Sequence, residues 1–106
     1  NWLHAKDTAR AVIKIVESKE KNEIYNIAGG FEQSNLSTVY KIIEEFYSDQ
    51  EFTCSDKIDF NIHRPGQDVR YALNDSKIRA LGWKPECIFD EEIKSIVQYY
   101  KKNFVW

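Results

Sequence analysis

Glu23-Ile24-Tyr25-Asn26-Ile27-Ala28-Gly29-Gly30 decides the expected fold, because an apolar and aromatic run that stops at paired glycines reads as a short strand. Upstream of it, Trp2-Leu3-His4 is a short apolar entry. Ala5, Ala9, Val12, Ile13 and Val16 then recur at helical spacing, with Asp7 as the expected N-cap and an end near Ser18. The solvated turn Lys19-Glu20-Lys21-Asn22 joins helix to strand. A helix feeding a strand of this kind is half of a parallel unit, and a parallel strand needs a neighbour.

Downstream the helical signal is stronger. Leu36, Val39, Tyr40, Ile43, Phe46 and Tyr47 follow an i, i+3, i+4, i+7 pattern after Asn35, which stands where asparagine caps a helix. Ile58, Phe60 and Ile62 alternate with Asp59 and Asn61, the mark of a strand with one buried face that delivers its end to Arg64. Asn74 or Asp75 can cap a short helix through Leu81, closed by Gly82. After Asp90, the set Phe89, Ile93, Ile96, Val97 and Tyr100 is the stripe of a last helix. The order is α/β, yet so small a sheet cannot bury the apolar faces of all these helices, so the chain is expected to be the C-terminal part of a longer protein.

Bulk composition narrows the function classes. At 106 residues the chain is one domain at most. Charged residues make up 30% of it with a net charge of -2, and the two signs are interspersed, so no field of one sign is available to attract nucleic acid. Cys54 and Cys87 stand far apart with only two histidines for company, which fits reduced thiols in a cytoplasmic protein better than a disulfide framework or a metal site. No apolar stretch approaches the roughly 18 residues a membrane helix needs, and no signal peptide opens the chain.

The densest word is His63-Arg64-Pro65-Gly66-Gln67-Asp68-Val69-Arg70-Tyr71, followed by Gly82-Trp83-Lys84-Pro85. Two arginines bracket a Pro-Gly turn, so a planar five-donor cation sits on a stiffened loop, an arrangement suited to gripping a phosphate or carboxylate. Tyr71 reads as a buried aromatic with Arg70 as its ion-paired neighbour, and Trp83 as a packing anchor.

Taken in order, Trp2-Leu3-His4 with Asp7 and Ala9-Arg10-Ala11, Glu23 to Ile27 with its glycines, Asn35-Leu36, Arg64-Pro65-Gly66 through Arg70-Tyr71-Ala72, Ser76-Lys77-Ile78, Leu81 to Pro85 and the closing Tyr100 to Trp106 form an ordered set. That set resembles the C-terminal part of the dTDP-glucose 4,6-dehydratases, extended short-chain dehydrogenases/reductases acting on nucleotide sugars. The resemblance implies residues 1–30 as the last helix-strand unit of a Rossmann-like domain and 31–106 as a small α/β substrate-binding lobe. It implies NAD held by a preceding domain, and a parent that is a homodimer through regions absent here. The implied chemistry is oxidation of the hexose at C4, loss of water across C5 and C6, and return of the hydride to C6, giving a 4-keto-6-deoxy sugar. No catalytic residue is identifiable in this chain: it has no glycine-rich pyrophosphate loop, Tyr40-Lys41 are adjacent and diverge on a helix, and Tyr99 to Lys102 lie in the tail.

Residue by residue, the resemblance assigns the nucleotide diphosphate to Asn35, His63, Arg64, Pro65, Gly66 and Gln67. Asn35 does so beside a helix N-terminus, which favours an anion. Arg64 supplies the gripping guanidinium, while Pro65 and Gly66 shape the turn. The family pattern carries aspartate before that arginine and histidine three residues after it. Here His63 and Gln67 occupy those places, and Gln67 offers a neutral contact only, which leaves the nucleotide base open. A UDP-sugar 4,6-dehydratase, decarboxylase or epimerase of the same family, and a non-catalytic sugar-nucleotide-binding module, are the alternatives.

Overall fold

The computed structural model describes residues 1–20, 22–62 and 64–104; His63, one of the expected ligand residues, and the expected turn residue Lys21 lie outside them. The chain divides into two compact units. The first comprises Asn1–Glu32 with Arg70–Phe89, the second Gln33–Val69 with Asp90–Trp106.

In the first unit α1 runs Ala5–Glu17 and α3 runs Ser76–Ala80. The cap of α1 is His4, whose Nδ1 accepts from the Lys6 N–H at 3.0 Å, and not the expected Asp7. Asp7 sits a turn further in, 1% exposed, and its carboxylate accepts from the backbone N–H of Glu86 at 2.8 Å and of Cys87 at 3.1 Å while pairing with Arg10. A buried carboxylate needs such partners, and Asp7 therefore ties the helix to the segment after Trp83. The core is built from Ala11, Ile78 and Trp83, with Leu3, Ile15, Tyr25, Ile27 and Leu81 packed on it. Trp83 is the anchor its sequence context suggested: 5% exposed, its indole N–H donates to the Asp7 carbonyl at 3.1 Å. Val12, Ile13 and Val16, expected to face inward, are instead exposed, because α1 is apolar on two sides and Ala11 and Ile15 take the core side.

The expected strands are not formed among the described residues, where the only ladder element is a single antiparallel bridge between Trp2 and Phe31. In 23–27 the Ile24 carbonyl accepts from the Lys77 ammonium at 3.0 Å, and the Asn26 side-chain amide donates to the Asn74 carbonyl at 3.3 Å. In 58–62 Asp59 Oδ1 accepts from both the backbone N–H of Asn61 at 2.9 Å and its side-chain amide at 3.0 Å. A short polar side chain that captures the backbone two residues on competes directly with a ladder. Phe60 and Ile62 are consequently exposed.

The second unit holds α2, Asn35–Phe46, a 3-10 turn at Cys54–Lys57, and α4, which spans Phe89–Asn103 and lies in this unit from Asp90 onward. Thr38, Ile43 and Val97 are its buried residues. Polar contacts join the two helices. Lys41 pairs with Asp90, the Gln98 amide donates to Glu45 at 3.1 Å, and the Lys101 ammonium donates to the Phe46 carbonyl at 2.7 Å and to Asp49 at 3.2 Å. Tyr47 packs edge-on against Phe46 and beside Phe52, closing the end of α2.

Candidate functional site

The segment 33–69 carries every expected ligand residue. At its start Ser34, rather than Asn35, caps α2: its hydroxyl accepts from the Ser37 N–H at 3.0 Å, and its carbonyl accepts from the Thr38 N–H and hydroxyl, each at 3.1 Å. Serine and asparagine are equally good caps, and the one-residue shift leaves Asn35 as the first helical residue with its side-chain amide exposed. The amides of Asn35 and Leu36, at the positive end of the helix, have no partner among the described residues, and the first turn contains no acid. Gln33 completes the entry by donating to the buried Thr38 hydroxyl at 2.7 Å.

At the other end of the segment, Pro65 and Gly66 occupy a turn in which Gly66 takes φ 74°, the left-handed region that favours glycine. Arg64, Pro65, Gly66 and Gln67 are all exposed. Arg64 makes no ion pair or hydrogen bond among the described residues, so its fork is available to a ligand. Asn35 and Arg64–Gln67 fall in the same unit, and among the described residues no hydrogen bond or ion pair joins Asn35 to the turn. What this geometry offers chemically is a helix N-terminus with free N–H groups and an uncommitted guanidinium, both of which stabilise an anion.

Arg70 behaves differently. Its Nε and Nη2 grip both oxygens of Glu32 at 2.8 to 3.2 Å, and this guanidinium holds the Glu32 carboxyl below its ordinary range. An ion-paired Arg70 was legible in the sequence; the identity of its partner was not. Tyr71, expected to be buried, is 63% exposed, because the chain here lies at the surface of the first unit; its carbonyl accepts from the Asn1 backbone nitrogen at 3.1 Å. The feature that sequence reading missed altogether is the Asp7 knot. Burial pushes its carboxyl up, but the N–H groups of Glu86 and Cys87 and the Arg10 guanidinium outweigh that and leave it below the usual carboxylate range. The same Arg10 lies 3.5 Å from the Cys87 thiol.

A Cβ on Gly29 would lie 2.1 Å from the Trp2 carbonyl oxygen, so the close approach that glycine permits there is taken by the protein's own backbone. Among the described residues no helix is long and apolar enough to cross a membrane, and no cluster of metal-ligating side chains occurs.

Residues 1–96 match the family model described as GDP-mannose 4,6 dehydratase. The chain is 37% identical over 110 aligned positions to "dTDP-glucose 4,6-dehydratase 1" of Escherichia coli strain K12, covering 100% of this chain and 30% of that protein. It is 35% identical over 105 residues to the "dTDP-D-glucose 4,6-dehydratase" of Mus musculus, with 98% and 30% covered. To the "low-salt glycan biosynthesis protein Agl12" of Haloferax volcanii it is 36% identical over 99 residues, with 93% and 30% covered. The chain thus spans about 30% of the length of the curated relatives it matches.

Proposed function

The chain belongs to the GDP-mannose 4,6-dehydratase family, and from that premise we propose that it is the nucleotide-sugar-binding C-terminal part of a dTDP-glucose 4,6-dehydratase, which converts dTDP-glucose to dTDP-4-keto-6-deoxyglucose and water. The observation that carries the reading is Arg64, an exposed guanidinium without a protein partner among the described residues, in the same unit as the free N-terminus of α2. In this proposal Arg64 grips the diphosphate, Asn35 and the first amides of α2 add neutral donors, Pro65 and Gly66 set the turn, and His63 and Gln67 flank it. Residues 1–30 belong to the end of a Rossmann-like domain and 31–106 to the substrate lobe. NAD is bound elsewhere in the parent protein. The parent is a cytoplasmic homodimer that binds neither nucleic acid nor membrane.

Incubating the full-length protein with dTDP-glucose tests the assignment through the alkali-dependent absorbance of the 4-keto product. Arg64→Ala is expected to raise KM about ten- to a hundredfold, the effect of removing one charge-assisted contact, with a much smaller change in kcat. Turnover of UDP-glucose but not dTDP-glucose would transfer the assignment to the sister activity. An unchanged KM in Arg64→Ala would remove the diphosphate from this turn.

A further inference from the structure

Glu32 is the last residue of the first unit before the chain departs into 33–69, and Arg70 is the first residue on its return. Their fork closes the neck of that excursion: Arg70 Nη2 donates to Glu32 Oε1 at 2.8 Å and to Oε2 at 2.9 Å, and Nε donates to Oε2 at 3.2 Å. Backbone ties on either side of the pair reinforce it. The Trp2 N–H donates to the Phe31 carbonyl at 2.9 Å, and the backbone nitrogen of Asn1 donates to the Tyr71 carbonyl at 3.1 Å. Phe31 also stacks on Phe89 with ring centroids 5.3 Å apart. Within 33–69 the apolar side chains on either side of Arg64, Phe60, Ile62 and Val69, are exposed rather than packed.

We infer that the Glu32–Arg70 pair is a clamp that fixes the two ends of the substrate-binding excursion, so that both are positioning residues for the ligand held by Asn35 and Arg64. This deepens the function proposed above and rests on it for the identity of the ligand. A surface ion pair contributes little to global stability, but one that pins both ends of a long loop restricts every conformation that loop can take. Bidentate geometry adds the directionality a lysine could not supply. The rival assignment is that Arg70 itself holds substrate charge, since its side chain also borders a cavity of about 260 Å³ with Leu3, Ile27 and Leu73.

Charge exchange separates the two. In the full-length protein, Glu32→Arg and Arg70→Glu are each expected to raise KM for dTDP-glucose about three- to tenfold with kcat within about twofold, and to speed proteolytic cleavage within 58–69 several-fold in the absence of substrate. The double exchange is expected to restore both readouts to within about twofold of wild type. Because both side chains are exposed, the melting temperature stays close to wild type, and Glu32→Gln with Arg70→Lys gives a milder series should either reversal perturb folding. A double exchange as impaired as Arg70→Glu alone would assign Arg70 to the substrate and overturn the clamp, as would single variants whose cleavage rate does not change. Arg64→Ala run alongside keeps the two ideas apart: if it leaves KM unchanged the ligand assignment fails, whereas the cleavage rates judge the clamp independently.

Discussion

The first unit and the segment 58–69 use the same residue types to opposite ends. Around Asp7, charge is committed: the carboxylate is buried, accepts two backbone N–H groups and pairs with Arg10, and the indole of Trp83 reaches the carbonyl of the same residue. Along 58–69, Asp59 and Asn61 satisfy each other within two residues, while Arg64 makes no ion pair or hydrogen bond among the described residues. Arg70 belongs with the committed group although it lies in the same sequence word as Arg64. The difference teaches that residue identity marks an anion-binding word, while partner accounting separates the arginine that builds the fold from the one left over for a ligand.

The largest effect is expected where commitment is greatest. Trp83→Ala removes a side chain that is 5% exposed and packed on Ala11 and Ile78, and opens a cavity in the core. A loss of about 3–5 kcal/mol is expected, read as a fall in melting temperature of the full-length protein. Trp83→Phe, which keeps an aromatic ring but loses the indole donation to the Asp7 carbonyl, should cost less. A Trp83→Ala protein that melts within a degree of wild type would break the contrast between the two regions at its strongest point.

Next comes Asp7→Asn, which retains one acceptor oxygen but gives up the charge facing Arg10, for an expected cost of about 1–3 kcal/mol. Its pH dependence carries a sign. The folded carboxyl, held against its burial by the Glu86 and Cys87 N–H groups and by Arg10, titrates below the usual carboxylate range, so its contribution to stability is complete above the unfolded value of about 4 and disappears as pH falls through the folded value. Thermal melts from pH 6 to pH 3 should therefore show the gap between wild type and Asp7→Asn narrowing on the acid side. A gap that stays constant or widens would mean that the carboxylate is not the species the knot stabilises.

Much of the helical framework was legible because it rests on local periodicity. The α2 stripe begun at Asn35, the short helix after Asn74 and Asp75, and the last helix at Phe89 were found within a residue or two of their observed starts. Caps were misplaced by small steps, to Asp7 instead of His4 and Asn35 instead of Ser34, because several residues in a row can serve and the choice depends on what else each side chain can reach. The expected strands are not confirmed among the described residues. Alternation in Ile58 to Ile62 and the apolar run from Glu23 to Ile27 state a preference, but a ladder also needs a neighbour, and among the described residues the Asp59 carboxylate takes the Asn61 N–H and the Lys77 ammonium takes the Ile24 carbonyl instead. The partners Glu32 for Arg70 and Glu86 with Cys87 for Asp7 were beyond a sequence reading, because they are set by tertiary approach across long separations and follow no spacing rule.

The smallest expected effect sharpens the comparison from the other side. Gly66 and Gly29 are both candidates for close approach, but a Cβ on Gly29 would strike the Trp2 carbonyl oxygen at 2.1 Å, whereas one on Gly66 meets nothing within 4 Å. Gly66→Ala therefore carries only the strain of an L-residue at φ 74°, about 1 kcal/mol, with a correspondingly small fall in melting temperature. If the backbone of this turn passes against a bound diphosphate, the same methyl group obstructs the ligand, and KM rises several-fold while stability barely moves. A melting temperature lowered as far as in Trp83→Ala would show the turn to be packed rather than open. An unchanged KM would leave Arg64 to reach the ligand with its side chain alone, because the empty space beside Gly66 would then be solvent and not part of the binding surface.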